Sequence, residues 1–219
     1  MISNFKKYIS YLFPIQLEKS STISGTDLYL MLNKGRLQLG TDKAIYSWED
    51  LYYPFEIAFN QRFDEIMNAR NCLVIGLGMG SVISILTKQL LLDKIHFIGI
   101  EKEKSIATWV EKYTIQIGSN SIQVINDDAE NLSKLQLVKF DIICVDVFQN
   151  RSVPAFMQSE KHLNECFSLL NENGILFYNI IPQDAEKLKE KSFQENFKSV
   201  FENNTKIKMK ENEMWIGKK

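Results

Sequence analysis

The chain contains 219 residues, with 26 Lys and Arg against 27 Asp and Glu, two His, three Cys and 45% hydrophobic residues. A net charge of −1 argues against a nucleic-acid partner, because proteins that bind a phosphate backbone neutralise it with many Lys and Arg side chains. The length predicts one domain, or one domain with a small appendage.

The cysteines and histidines indicate the compartment and the kind of chemistry. Cys72, Cys144 and Cys166 are far apart and each lies in an apolar run, which is typical of reduced core thiols in a cytoplasmic protein. The two histidines lack the spacing of metal-binding motifs, so we expect no metal. No apolar stretch approaches the roughly 20 residues of a membrane span, and residues 1–17 lack a signal-peptide cleavage site. We therefore expect a cytoplasmic protein with no membrane partner.

The first part of the chain, residues 1–68, is predicted to form an appendage. Residues 1–17 predict a short helix whose aromatic face packs on the body of the protein or on a second subunit. Apolar residues alternate with polar ones across 28–39 and are interrupted by Lys34-Gly35, which predicts a β-hairpin. Residues 46–68 carry apolar side chains at three- and four-residue steps and predict a connecting helix.

The second part of the chain, residues 69–219, alternates between predicted strands and helices. Short apolar runs are typical of strands buried on both faces, and they occupy residues 72–75, 95–100, 122–125, 140–147 and 175–181. Segments with helical spacing lie at 82–92, 105–117 and 156–170, and a charged helix over 184–201 precedes strands at 206–210 and 213–217. This order predicts an α/β fold with a Rossmann-like, doubly wound, seven-stranded sheet.

Glycines or carboxylates follow four consecutive predicted strands. They are Gly76, Gly78 and Gly80 after the first strand, Glu101 after the second, Asp128 and Ala129 after the third, and Asp146 after the fourth. Ligands of open α/β sheets bind at the carboxyl ends of the strands, so these residues predict one binding site. In that site Glu101 can accept hydrogen bonds from both hydroxyls of a ribose, and Asp128 can accept a hydrogen bond from the amino group of an adenine.

Each of these residues also has a purely structural interpretation. The glycines can form a tight turn without a ligand, since glycine tolerates backbone conformations that other residues avoid. Glu101 and Asp128 can cap the helices that follow them, and Asp146 can be an ordinary turn residue. The residues taken singly leave both interpretations open.

The glycine spacing is G-x-G-x-G, not the G-x-G-x-x-G of dinucleotide-binding proteins, and it resembles the S-adenosylmethionine site of class I methyltransferases. Within that superfamily the chain resembles the spermidine/spermine synthases, which are polyamine aminopropyltransferases. The resemblance covers residues 27–181. It is carried by the hairpin with Leu37-Gln38-Leu39, by residues 42–46 and 140–146, and by Val153-Pro154.

The resemblance implies a role for each residue of the predicted site. The nucleoside of S-adenosylmethionine, or of its decarboxylated form, is expected to contact Gly76, Gly78, Gly80, Glu101, Asp128 and Ala129. Asp146 is expected to receive or orient an attacking amine, and Tyr46 to line the same pocket. The expected reaction is transfer of an aminopropyl or methyl group to a small acceptor such as a polyamine.

Two positions depart from the family pattern. Met79 replaces an acid of the glycine loop, and Gln149 replaces a second acid after the fourth strand. Both replacements remove attraction for a cationic substrate, so methylation of a small molecule by S-adenosylmethionine is one alternative. A nucleoside-binding or assembly protein without turnover is another. We also expect a homodimer, because the aromatic N-terminal segment and an exposed hairpin edge need covering.

Overall fold

Two β-sheets organise the chain in the computed structural model, which describes residues 2–42, 44–114, 122–135, 137–148, 152–182 and 187–219. The smaller sheet is antiparallel and contains β1 (Ile15–Ser21), β2 (Asp27–Asn33), β3 (Arg36–Gly40) and β4 (Ile45–Ser47), in that spatial order. Its centre confirms the predicted hairpin, since Asn33 pairs with Arg36 around Lys34 and Gly35, which both have positive φ. β1 and β4 extend this hairpin on its two sides.

The connection between the two sheets differs from the single helix predicted over 46–68. This segment holds the end of β4, a 3-10 turn at Glu49–Leu51, α2 (Tyr53–Gln61) and α3 (Phe63–Ile66). Pro54 lies in the first turn of α2, where its missing N–H costs no helical hydrogen bond. The same proline would interrupt a helix that began at residue 46, so the prediction of one continuous helix was wrong.

The larger sheet confirms the seven-stranded α/β prediction. It contains β5 (Asn71–Ile75), β6 (His96–Ile100), β7 (Ile122–Ile125), β8 (Phe140–Val145), β9 (Leu170–Ile180), β10 (Asn203–Lys208) and β11 (Glu213–Lys218). The spatial order is β10-β11-β9-β8-β5-β6-β7. The strands from β7 to β9 are parallel, and β11 runs antiparallel between β9 and β10, as predicted for the C-terminal pair.

Helices cover both faces of this sheet. They are α4 (Ser81–Ser84), which continues as a π-helical turn over Ile85–Gln89, α5 (Lys104–Tyr113), α6 (Glu160–Leu169) and α7 (Lys187–Val200), with 3-10 turns at Ala129–Leu135 and Ala155–Gln158. Alternate residues of β5 belong to two separate apolar clusters, Cys72 and Val74 to one and Leu73 and Ile75 to the other. The strand is therefore buried on both faces, which explains its continuous apolar run. No helix in the described ranges is long and apolar enough to cross a membrane.

The N-terminal helix, α1 (Asn4–Ile9), buries none of its residues. Phe5 and Tyr8 are 72% and 75% exposed, so the aromatic face does not pack on the body of the protein. The end of the helix is fixed to the hairpin by Ser10, whose hydroxyl accepts the N–H of Gly35 at 2.8 Å. Packing of this face against a second subunit stays a prediction.

Gly76 lies where the order of the parallel strands reverses, because β5 is flanked by β6 on one side and by β8 on the other. Its φ is +81°, and a Cβ there would lie 2.5 Å from the Asp146 carbonyl oxygen. Gly25 has almost the same φ, +83°, but a Cβ there would meet no described atom within 4 Å. An alanine at Gly25 would therefore suffer backbone strain alone, whereas an alanine at Gly76 would suffer both backbone strain and a steric clash.

We expect Gly76→Ala to destabilise the protein more than Gly25→Ala does. The left-handed backbone alone costs an alanine about 1–2 kcal/mol, and the clash at Gly76 adds about 1–3 kcal/mol. Urea unfolding of both variants measures the difference directly. Equal losses of stability in the two variants would show that the close approach of β5 and β8 does not require glycine.

Candidate active site

The parallel register brings the ends of four strands to one edge of the large sheet. Ile75 pairs with both Ile100 and Val145, and Ile100 pairs with Ile125. The residues that follow these strands are therefore neighbours at the carboxyl edge, which is where open α/β sheets bind ligands. Gly76, Glu101 and Asp146 come directly after three of the strands, and Asp128 lies three residues after the fourth.

The glycine loop uses its backbone N–H groups within the protein. Gly78 donates to Glu101 Oε2 at 3.1 Å, Met79 donates to Ser47 Oγ at 3.2 Å, and Gly80 donates to the carbonyl of Leu77 at 2.9 Å. Phosphate-binding loops, in contrast, direct free N–H groups at the ligand. The N–H groups of Gly78, Met79 and Gly80 are therefore not free to bind a phosphate.

Glu101 is a buried carboxylate between the loop and the start of α5. Besides the N–H of Gly78, it accepts the N–H of Glu103 through Oε1 at 3.0 Å. Burial raises the pKa of Glu101 to about 7, although these two N–H groups act in the opposite direction. Each carboxylate oxygen has two lone pairs, so each can still accept one ligand hydroxyl.

Asp128 has structural partners of its own. Its Oδ2 forms an ion pair with Lys102 Nζ at 2.6 Å, and its Oδ1 accepts the N–H of Glu130 at the start of the 3-10 turn. Partial burial acts to raise the pKa of Asp128, but Lys102 and the Glu130 N–H outweigh it and lower the pKa. Ala129 beside it is buried. The capping interpretation of Asp128 thus has direct contacts, and its contact with an adenine stays a prediction.

Asp146 is partly buried and accepts two hydrogen bonds on one oxygen. Tyr52 Oη donates to Asp146 Oδ1 at 3.1 Å, and Asn179 Nδ2 donates to the same oxygen at 2.8 Å. Burial raises the pKa of Asp146 to about 7, against the opposing effect of these two donors. A carboxyl group with a pKa near neutrality can both accept and release a proton at physiological pH, as a general base must.

Tyr46 and Met79 have surroundings that the sequence did not indicate. Tyr46 lies on β4 and is 39% exposed, whereas the tyrosine that hydrogen-bonds Asp146 is Tyr52. Met79 is fully buried in the apolar cluster that also contains residues of the small sheet. The position where the family carries an acid therefore faces the core. Gln149 lies outside the described residues.

Two residues that contact Asp146, Tyr52 and Asn179, were not among the site residues predicted from the sequence. Asn179 is fully buried within the apolar strand β9, and a buried amide requires hydrogen-bond partners, so its presence in an apolar run was an available signal. Tyr52 gave no comparable signal. In the described ranges, no group of three His, Cys, Asp or Glu side chains is placed to hold a metal ion.

The small sheet is attached directly to the glycine loop. Ser47 Oγ on β4 and Ser81 Oγ at the start of α4 are hydrogen-bonded at 2.8 Å, and a Cβ at Gly78 would lie 3.2 Å from that of Ser47. At the other end of this sheet, Glu103 accepts the N–H of Ile23 at 3.0 Å. The appendage thus contacts both the glycine loop and the start of α5 beside Glu101.

Comparison with known proteins identifies a family. The family model described as "Spermine/spermidine synthase domain" matches residues 61–209. A polyamine aminopropyltransferase of Vibrio vulnificus is 28% identical over 138 residues, which cover 59% of this chain and 44% of that protein. One of Clostridium botulinum is 22% identical over 142 residues, which cover 64% and 48%. The matched region thus spans less than half the length of each of these relatives.

Solved structures show the same fold. The spermidine synthase of Thermotoga maritima covers 93% of this chain, with 72% of its own length aligned, a TM-score of 0.65 and 14% identity. Human methyltransferase-like protein 13, solved with SAH, covers 74% of this chain, with 78% of its own length aligned, a TM-score of 0.61 and 18% identity. At these identities the likeness establishes a class I methyltransferase-like fold. Because the family model matches well over half of the residues, the chain belongs to the spermine/spermidine synthase family.

Proposed function

We propose that this chain is a transferase that binds S-adenosylmethionine or its decarboxylated form and alkylates a small amine beside Asp146. The observation that carries the proposal is the Asp146 carboxylate, held by Tyr52 and Asn179 at the same sheet edge as the glycine loop and Glu101. Family membership supports the same reaction class, since the curated relatives are named polyamine aminopropyltransferases.

The residues present fit an adenosyl ligand better than a nucleotide. The loop N–H groups of Gly78 and Met79 are already bonded to Glu101 and Ser47, so these two groups are not free to bind a phosphate. Glu101 offers a buried carboxylate with spare lone pairs, which suits two ribose hydroxyls. The glycines allow the ligand to approach the backbone closely. Gly76, Gly78, Gly80 and Glu101 are therefore the residues that we expect to hold the nucleoside.

Asp146 has the chemistry required of the base in such a transfer. An amine attacks carbon only through a free lone pair, so an ammonium must first lose a proton, and Asp146 can take it. The adenosyl sulfonium supplies the electrophilic carbon; a new C–N bond forms as the C–S bond breaks and its electron pair remains on sulfur. Tyr52 and Asn179 hold the carboxylate in place, and correct placement of the two reactants contributes much of the rate.

The group transferred depends on which sulfonium binds. The names of the curated relatives favour aminopropyl transfer from the decarboxylated form. The burial of Met79 favours the second candidate, methyl transfer, because no acid of the glycine loop is available there to attract the amine of the decarboxylated form. The acceptor in either case is a small amine.

The products distinguish these candidates. The protein is incubated at pH 8 with each sulfonium and a panel of mono- and diamines, and the nucleoside and amine products are identified by mass spectrometry. Methylthioadenosine with an aminopropylated amine is expected if the decarboxylated form is used, and S-adenosylhomocysteine with a methylated amine if the carboxylated form is used. Binding of either sulfonium without any product would instead support a nucleoside-binding protein that lacks turnover.

A further inference from the structure

A chain of hydrogen bonds leads from the start of α2 through two buried asparagines to Asp146. Tyr53 Oη donates to Asn212 Oδ1 at 3.1 Å, and Asn212 Nδ2 donates to Asn179 Oδ1 at 2.9 Å. Asn179 Nδ2 then donates to Asp146 Oδ1 at 2.8 Å. Asn179 is fully buried and Asn212 is 7% exposed, so neither amide can exchange these partners freely for water.

All hydrogen bonds in this series run in the same donor-to-acceptor direction. Every donor points towards the carboxylate, and Asn179 Nδ2 also donates to Tyr52 Oη at 3.2 Å. A 180° flip of the Asn179 amide would place its oxygen against the carboxylate and its NH₂ group against the NH₂ group of Asn212. While Asp146 is ionised and Asn212 keeps its orientation, both contacts would be repulsive, so the network then favours a single orientation of the Asn179 amide.

The two oxygens of the Asp146 carboxylate, at the end of this series of hydrogen bonds, differ in their partners. Oδ1 accepts from Tyr52 and Asn179, whereas Oδ2 makes no hydrogen bond with any residue that the structure describes. Asp146 as a whole is only partly buried. The two donors thus orient one oxygen and leave the other to accept a proton.

We propose that Asn179 and Asn212 are positioning residues that orient the Asp146 carboxylate and favour its ionised form, so that Oδ2 takes the proton of the acceptor amine. The part that concerns the acceptor rests on the proposed function, whereas the control of Asp146 by the two asparagines does not. Nothing in this role requires the asparagines to touch a substrate.

The charge state of Asp146 provides the readout. Burial raises the pKa of Asp146 and the bond from Asn179 lowers it, so loss of that bond raises the pKa further. Among the described residues, Tyr52 donates to Asp146, Tyr53 joins the same network through Asn212, and Cys144 on β8 interacts with Asp146 electrostatically. Burial keeps the pKa values of Tyr52 and Cys144 well above their ordinary ranges, so these two groups stay neutral while Asp146 titrates.

The experiment is a ¹³C NMR titration of the Asp146 carboxyl carbon in Asn179→Leu, Asn212→Leu and the unmodified protein. The resonance is assigned by its loss in Asp146→Asn. Asn196→Leu is the matched control, because the Asn196 amide on α7 donates instead to the carbonyl of Gln158. We expect the pKa of Asp146 to rise by about one unit in Asn179→Leu, by less in Asn212→Leu, and not at all in the control.

Two variants are used so that the test can still be made if one of them, Asn179→Leu or Asn212→Leu, does not fold. If Asn179→Leu does not fold, a rise in Asn212→Leu still supports the proposal, because Asn212 fixes the amide without touching Asp146. An unchanged pKa in whichever folded variant is measured, or an equal rise in Asn196→Leu, would overturn it. If the pKa rises but no alkyl transfer is found, the control of Asp146 stands and the proposed function fails. If both hold, the acid limb of the pH–rate profile moves by the same amount.

Discussion

Replacing Asp146 by Asn is expected to slow alkyl transfer by orders of magnitude and, above pH 7, to make the protein more stable. An amide cannot take a proton from the acceptor amine, and loss of a general base lowers the rate by about 10²–10⁴-fold. The nucleoside ligand should still bind, because the residues that we expect to hold it lie on other strand ends. Transfer is measured by product formation and affinity by calorimetry.

The gain in stability follows from the raised pKa of Asp146. This pKa is about 7 in the folded protein and 3.8 for an ordinary Asp, so between those values the folded state binds the extra proton. The stability that this proton contributes is complete below pH 3.8 and is lost as the pH rises through 7. The difference corresponds to roughly 4 kcal/mol as an upper figure. Asn carries no charge and can still accept from Tyr52 and Asn179.

Thermal unfolding at two pH values measures this effect. The Tm of Asp146→Asn should be higher than that of the unmodified protein at pH 8.5. This difference in Tm should be smaller at pH 5. The control is Asp141→Asn at the other end of the same strand. Asp141 accepts the N–H groups of Arg70 and Asn71 on one oxygen and the Asn171 amide on the other, so an asparagine there would oppose one of these donors with its NH₂ group. That variant should lose stability at both pH values. Retained transfer, or the same Tm change at both pH values, in Asp146→Asn would contradict the role given to Asp146.

The second large effect concerns the nucleoside. Glu101→Gln should weaken the binding of an adenosyl ligand by about 10- to 100-fold, since hydrogen bonds to a carboxylate are stronger than those to a neutral amide. The pKa of Glu101 is raised to about 7 by burial, so the affinity of the unmodified protein should also fall as the pH drops below 7. The variant should lack this pH dependence, because its amide does not titrate.

Glu103→Gln is the matched control for this prediction. It removes the same charge two residues away, but the Glu103 side chain accepts the N–H of Ile23 in the loop between β1 and β2. We expect its affinity for the nucleoside to stay within about two-fold of the unmodified protein. An equal loss in both variants would indicate a general electrostatic effect and remove Glu101 from the ribose site.

The large sheet and its strand ends were predictable because the signals are local. Strands buried on both faces, such as β5 and β8, produce apolar runs, and parallel register carries the next residue of each to the same edge. Glu101 and Asp146 could therefore be selected from position alone. The start of α2 was signalled by Pro54, although the helical spacing of the preceding residues concealed it.

The surroundings of Asp146 could not be predicted in the same way. Tyr52 and Asn179 are 127 positions apart, and their meeting depends on how the start of α2 lies over β9. The ion pair of Asp128 depends likewise on Lys102 reaching it from the neighbouring strand end. These side-chain contacts depend on how helices and strands distant in sequence pack together, and residue spacing within one element does not predict that packing.

The most direct test of the account is a calorimetric titration of the unmodified protein with S-adenosylmethionine, its decarboxylated form and methylthioadenosine. We predict saturable binding of at least one of them at a single site per chain. A tenfold preference, about 1.4 kcal/mol, for the decarboxylated form would favour aminopropyl transfer, and the reverse preference would favour methyl transfer. The absence of binding to all three at millimolar concentration would contradict the assignment of this sheet edge as an adenosyl site.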